Sequence, residues 1–404
     1  MISALATSPA TMPLAAARRK AAPEKAPSES FQPEAPDDKL KWFTKGNKVT
    51  PLYDAKVTPK NKEDEIFRQV KLGIDAARSS IQLEMFGFGQ MDIAKALVAA
   101  QNERDVKVQV VLDPVNEELD WEQEKQECAD YLIENGVDVK WYPVKKGGEG
   151  ENKFDQINHV KMLILDGDKA IIGGMNWGSH SPLNHDVDVM VEGPAVDRME
   201  ALFGKDYLKS GGKKKDLIPI EKTPEHPEGE SYVSLCTTSD DPKDRSIKAA
   251  LHRAIRDAEK SIQVELFVLS DWSITKALCE AAERDVKVQV LLNPFEIEGK
   301  KLNEIAAEKL EKAGVEVKWY PTDERTGRKL HAKLGIFDGK EVILGSANWS
   351  GAGMTYNREA NVDVIDPKVA KAFGTMFKDD WKIGLAEPVY PPAREKSGVK
   401  GRVA

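Results

Sequence analysis

The sequence predicts an α/β protein of two homologous lobes, each a mostly parallel β-sheet flanked by helices, with the active site between them. Three observations carry that expectation. The first is an internal duplication: SSIQLEMF at 79–86 returns as KSIQVELF at 260–267, RDVKVQV at 104–110 returns unchanged at 284–290, and GVDVKWYP at 136–143 returns as GVEVKWYP at 314–321. Offsets of 181, 180 and 178 residues make each unit domain-sized, not one turn of a solenoid. The second is the alternation of short β-branched runs with longer helical patterns inside each unit. The third is a frame of His, Lys, Asp, Gly and Asn that occurs once in each unit at a constant offset of 172.

In chain order, residues 1–40 are rich in Ala, Pro and Ser and carry few large apolar side chains, so they are expected to be a disordered tail. The first lobe covers 41–210. There IFRQVKLGIDAA has apolar residues at helical spacing, IQLEMFGF reads as a strand, DIAKALVAAQN as a helix and VKVQVVLD as a strand. Such alternation implies βαβ units and a parallel sheet. Gly, Lys and Pro mark 211–230 as a linker. The second lobe, 231–384, repeats the order, and 385–404 form a second loose tail.

Composition limits the function classes. The 404 residues carry 59 Lys+Arg against 67 Asp+Glu, a net charge of −8, with 41% hydrophobic and 31% charged residues. No run of about 18 to 20 apolar residues is present to cross a bilayer. The first basic residues, Arg18 to Lys20, follow a Pro-interrupted, weakly apolar segment, which is not the order of a secretory signal. A cytoplasmic protein that meets a membrane only peripherally is expected. The acidic balance argues against a surface coated for nucleic acid, although a local basic cleft fits within it. Cys128, Cys236 and Cys279 are too few and too scattered for a zinc knuckle or a disulfide framework. HExxH, paired CxxC, GxxxxGK[ST] and GxGxxG motifs are all missing, so neither a metal nor a nucleotide cofactor is expected.

The duplicated frame carries the chemistry. His159, Lys161, Asp166, Gly167 and Asn176 lie in NHVKMLILDGDKAIIGGMNW; His331, Lys333, Asp338, Gly339 and Asn348 lie in LHAKLGIFDGKEVILGSANW. Residues two apart on a strand share a face, so each His and Lys point the same way. Lysines and asparagines suit the oxygens of a phosphodiester, and an imidazole near neutral pH serves as nucleophile or proton donor. Asp166 and Asp338 precede Gly and read as structural turn residues. Trp177 and Trp349 read as packing. Glu84 and Glu265, at equivalent places in apolar strands, are either inward carboxylates near the site or strand-end groups bonded to backbone. His180 and His185 are not duplicated and are not assigned to catalysis.

These motifs resemble the phospholipase D superfamily, whose signature HxKxxxxDG with a later GSxN-type turn is found once in each of two lobes; the likeness covers about residues 50–382. The first copy, with GGMN and a later HDVDVMVEGP, looks like the bacterial cardiolipin synthase branch. The second, with GSANWS, is similar to that branch and to phospholipase D-like nucleases. The resemblance implies that His159 is the nucleophile forming a phosphohistidine and His331 the general acid and later base. It implies that Lys161, Lys333, Asn176, Asn348 and Ser346 hold the phosphate. Glu359 would orient His159 and Asp186 would orient His331, each from the opposite lobe. Gly174 stands where the second copy has Ser346.

The implied function is metal-independent phosphodiester chemistry on phospholipid at a membrane surface, giving phosphatidic acid with water or phosphatidyl transfer with an alcohol, as in cardiolipin synthesis. Cleavage of DNA or RNA by the same chemistry is the alternative, with Lys145, Lys146, Lys153, Arg325, Arg328 and Lys329 as basic flanks. A non-catalytic lipid-binding module would require lost motif residues, and none is lost. Both motif copies sit in one chain, so a monomer is expected to complete the site.

Overall fold

The computed structural model describes residues 40–53, 65–114, 120–146, 155–294, 296, 300–322 and 328–390. Residues 1–39 and 391–404, which make up most of the two expected tails, lie outside the described residues. The first lobe runs β1 (Thr44–Tyr53), α1 (Glu65–Ala76), β2 (Ser80–Met85), α2 (Met91–Arg104), β3 (Lys107–Leu112), α3 (Asp120–Glu134), β4 (Asp138–Trp141), β5 (Lys161–Leu165), β6 (Lys169–Gly173), β7 (Val187–Glu192) and α4 (Val196–Lys209). The second runs β8 (Ser231–Thr238), α5 (Ser246–Asp257), β9 (Ser261–Leu266), α6 (Trp272–Glu283), β10 (Lys287–Leu292), α7 (Leu302–Lys312), β11 (Glu316–Trp319), β12 (Lys333–Phe337), β13 (Glu341–Gly345), α8 (Gly351–Thr355), β14 (Glu359–Ile365) and α9 (Pro367–Ile383).

The unchanged RDV repeat has a local cause. Asp105 and Asp285 end α2 and α6 in the left-handed region, with φ of 58° and 65°, which Asp tolerates better than most side chains. The preceding arginines cap the neighbouring helices. Arg104 donates to the carbonyls of Ile74, Asp75 and Ala77 at 2.6–2.9 Å, and Arg284 to those of Ile255 and Arg256 at 3.0 and 3.2 Å. Each pair therefore satisfies orphan carbonyls and turns the chain into the next strand.

All strands join one 14-stranded sheet in the order β11-β10-β9-β12-β13-β14-β8-β1-β7-β6-β5-β2-β3-β4. The expected mostly parallel sheet is corrected here: four ladders are parallel, β2·β3, β3·β4, β9·β10 and β10·β11. The other nine are antiparallel. The strand-helix alternation is real over β1–β4 and β8–β11, but parallel pairing is confined to β2–β4 and β9–β11. After them, Asp-Gly turns fold β5 onto β6 and β12 onto β13 as hairpins, which require antiparallel pairing.

Helices α1–α3 and α5–α7 cover separate apolar cores, one in each lobe. A third core takes Val160, Met162 and Ile172 from one lobe and Leu330, Leu334 and Val362 from the other, with Phe203 of α4 and Phe373 of α9. The β1·β8 ladder and this shared core join the lobes. Residues 211–230 run over the first lobe, where Asp216 accepts from Lys107 and Gln109 and Thr223 donates to Gly167. Beyond α9, Leu385 exchanges backbone hydrogen bonds with Trp319.

The turn aspartates do more than reverse the chain. Asp166 and Asp338 both adopt φ 52°. The Asp166 carboxylate accepts the backbone N–H groups of Arg78, Ser79 and Ser80 at 2.7–3.0 Å, and Asp338 accepts those of Glu259, Lys260 and Ser261 over the same range. Burial pushes each carboxyl up, but the backbone donors prevail and hold both below the usual range. Each hairpin is thereby tied to the start of β2 or β9. Asp338→Ala is expected to cost about 2 kcal/mol, from charge-assisted hydrogen bonds lost together. A urea-unfolding midpoint unchanged from wild type would contradict this anchor.

Candidate active site

The chain reaches β5 and β12 through short bridges to the opposite lobe. The His159 N–H donates to the Arg358 carbonyl and the His331 N–H to the His185 carbonyl, both at 2.8 Å. Both motif histidines thus sit just ahead of their strands, clamped to the segments that carry Glu359 and Asp186.

The side chains cross in the same way. His159 Nδ1 lies 3.0 Å from Glu359 Oε2, and His331 Nδ1 lies 2.6 Å from Asp186 Oδ2. Each imidazole is held by a carboxylate from the other lobe, an arrangement that fixes the tautomer and stabilises an imidazolium. Ser346 Oγ donates to Glu359 Oε2 at 2.5 Å, and Asn357 Nδ2 donates to Glu359 Oε1 at 3.2 Å. Lys161 donates to the His159 carbonyl at 2.7 Å, and Lys333 to the His331 carbonyl at 2.5 Å. Lys333 Nζ also stands 3.0 Å from His331 Nε2, whereas the buried His159 Nε2 has no hydrogen-bond partner among the described residues.

Two aromatic residues complete the floor. Phe86 meets the His159 ring edge-on at 5.0 Å with Lys161 4.9 Å from its centroid; Phe267 meets the His331 ring at 4.9 Å with Lys333 at 5.4 Å. Sequence reasoning did not single them out, although their recurrence at the same place in the duplicated strands was the available signal.

The remaining predicted residues fall into place unevenly. Asn176 and Asn348 each bury an Oδ1 atom that has no hydrogen-bond partner among the described residues. Gly174 takes the place of Ser346 for a steric reason: a Cβ there would lie 2.4 Å from Asp186 Oδ1. Trp177 and Trp349 are buried in the outer cores. Glu84 and Glu265 are inward and fully buried, and Glu84 accepts from Asn158 Nδ2 at 2.9 Å. Of the basic flanks, Lys145 pairs with Asp240 and Lys146 with Asp155, while Lys329 Nζ lies 4.9 Å from the Phe267 centroid. Lys153 and Arg325 lie outside the described residues. His185, Glu265 and Asp380 form a group of potential metal ligands, with donor atoms all within 4.8 Å of one another.

Electrostatics set the resting protonation. Burial, reinforced by Lys161 against the pull of Glu359, lowers His159 from its ordinary 6.5 to about 4. Burial and Lys333 lower His331 to about 3 despite Asp186. Burial also lowers Lys333 to about 8 and takes Lys161 well below its usual range. Glu359 and Asp186 are pushed up by burial but held low overall by their histidines and lysines. Both imidazoles are therefore neutral at pH 7. The unfolded chain binds protons at these histidines near pH 6.5 and the folded chain does not, so stability present above 6.5 is lost as pH falls toward 4. The urea midpoint is expected to drop between pH 7 and pH 5, and to drop less in His159→Asn/His331→Asn. An equal drop in the double variant would remove the histidines as the cause.

Known proteins share this sequence pattern. The family model described as "Cardiolipin synthase, PLD-like domain" matches residues 71–207 and again 251–381. The chain is 28% identical over 281 residues to the probable cardiolipin synthase YwiE of Bacillus subtilis, covering 66% of this chain and 54% of that protein. It is 25% identical over 351 residues to cardiolipin synthase B of Escherichia coli K12, covering 81% and 78%. The chain thus spans about half the length of YwiE. A solved structure of phosphatidylserine synthase from Haemophilus influenzae superposes with a TM-score of 0.59 at 13% identity, over 84% of this chain and 88% of that one, which shows a shared fold. With both halves matched by the family model, the chain belongs to the phospholipase D superfamily, in its cardiolipin synthase-like branch.

Proposed function

We propose that this protein is a phospholipase D-type phosphodiesterase or phosphatidyltransferase acting on phospholipid through a phosphohistidine. The observation that carries the reading is the state of His159. Its Nδ1 is engaged by Glu359, its ring is neutral at pH 7, and its Nε2 is buried with no hydrogen-bond partner among the described residues. That is the arrangement of an oriented nucleophile.

In the first step His159 Nε2 attacks phosphorus, the bond to the leaving alcohol breaks, and His331 gives that oxygen a proton. In the second step His331 takes a proton from water or an acceptor alcohol, whose oxygen attacks the phosphohistidine and releases His159. Lys161 and Lys333 stabilise charge on the non-bridging oxygens, and Asn176 and Asn348 add neutral polar groups. His331 must be protonated for the first step, yet burial and, after it, Lys333 keep it neutral. A bound phosphodiester brings a negative charge that offsets Lys333 and favours the protonated form of His331 against burial. Among the described residues no helix is long and apolar enough to cross a membrane, so the described part would meet lipid from the surface. The relatives are named cardiolipin synthases, which favours lipid as substrate and a phosphatidyl acceptor in the second step. The pairing of Lys145 and Lys146 with acids takes charge from the flank a long polyanion would need.

Purified protein mixed with phosphatidylglycerol liposomes, with and without added glycerol, is expected to give phosphatidic acid or an exchanged lipid by mass spectrometry. His159→Ala and His331→Ala should each lower turnover by about 1,000-fold or more. Untouched lipid beside cleaved single-stranded DNA would overturn the lipid reading. The roles separate with a p-nitrophenyl phosphodiester, whose leaving group needs no proton. His331→Ala is expected to release one equivalent and stall as a phosphoenzyme, and His159→Ala none. The reverse result would exchange the two assignments.

A further inference from the structure

Behind each motif histidine the fold buries a pair of carboxylates, and the two halves neutralise theirs differently. In the first half Glu84 of β2 and Asp206 of α4 face Arg358, the residue just before Glu359. Arg358 Nε donates to Asp206 at 2.7 Å and Nη1 to Asp244 at 2.9 Å, and its guanidinium acts electrostatically on Glu84 as well. In the second half the equivalent places hold Glu265 of β9, Asp380 of α9 and, just before Asp186, His185. His185 Nε2 lies 3.1 Å from Asp380 Oδ2 and 3.5 Å from Glu265 Oε2. An imidazole stands where the other half has a permanent cation.

We infer that His185, Glu265 and Asp380 form a binding site for a divalent cation of the zinc type, structural in role and separate from the phosphoryl chemistry. The donor set is one imidazole nitrogen and two carboxylates, which suits zinc. Bonds of about 2.0 Å in a tetrahedron place donor atoms about 3.3 Å apart; the two edges from His185, 3.1 and 3.5 Å, bracket that value, and the two carboxylates have donor atoms within 4.8 Å of each other. The ring is held in plane by Tyr320, stacked at 5.4 Å with 1° between planes. Charge points the same way. A proton on His185 adds one positive charge to this buried pair, whereas a divalent ion adds two, matching both carboxylates. Glu265 is fully buried and His185 nearly so, while the Asp380 side chain keeps 13% of its surface exposed and provides the side from which an ion enters. Through the His185 carbonyl, which accepts the His331 N–H at 2.8 Å, the ion would tie α9 and β9 to the start of the second motif.

The test strips the full-length protein with EDTA, removes the chelator, adds zinc alone, and measures metal by mass spectrometry after gel filtration. About one zinc per chain is expected, with an unfolding midpoint that rises with zinc. His185→Arg copies the other half by supplying a guanidinium; it should bind no zinc and show no zinc-dependent rise. Asp380→Asn, at the partly exposed edge, should also lose the metal. His159→Asn/His331→Asn should keep it. Wild-type protein without bound zinc, zinc retained by His185→Arg, or zinc lost with the motif histidines would each overturn the site.

Discussion

Each motif histidine is oriented by a carboxylate that belongs to the other lobe, and the rest of the structure serves to keep those two crossed pairs in place. The pairs, His159 with Glu359 and His331 with Asp186, are buried almost completely. A buried imidazole and carboxylate are favourable only when geometry is held closely, because neither partner has water to fall back on. Lobes that rocked against each other by an ångström would break both at once. The shared core between β5–β7 and β12–β14, the β1·β8 ladder and the paired backbone bridges at Asn158 and His185 supply the required stiffness. Duplication within one chain gives both halves of each pair at fixed stoichiometry.

What could be read from residues alone was whatever the duplication repeated. His159, Lys161, His331, Lys333 and the turn aspartates lie within short stretches whose spacing survives in both copies. Glu359 and Asp186 were harder, since their partners are 200 and 145 residues away. Sheet polarity was misread because the periodicity of a strand says nothing about the direction of its neighbour. Asp-Gly at 166–167 and 338–339 held that information, as hairpin turns make antiparallel neighbours. The Arg358 and His185 positions were hidden for another reason: they are equivalent in space but differ in residue type, so comparing the copies for identity passes over them.

Those differences bear on the proposed division of labour between the halves. Glu359 receives hydrogen bonds from Ser346 and Asn357 in addition to its contact with His159. Its charge is shared among three partners, so it holds the ring without drawing a proton onto it, which suits the proposed attack through Nε2 of His159. Asp186 lacks the serine, because Gly174 leaves no room for a side chain beside it. It keeps the shorter contact, 2.6 Å against 3.0 Å, and more of its charge remains for an imidazolium. That suits the proposed role of His331 as general acid. Burial, with Lys333 second, outweighs this advantage and keeps His331 neutral. In the proposed reaction an anion that engages Lys333 would offset its repulsion, so that the Asp186 attraction works against burial with less opposition. Under the proposed mechanism, proton loading of His331 would be coupled to occupancy by a phosphodiester, which arms the acid when there is a leaving group to receive its proton.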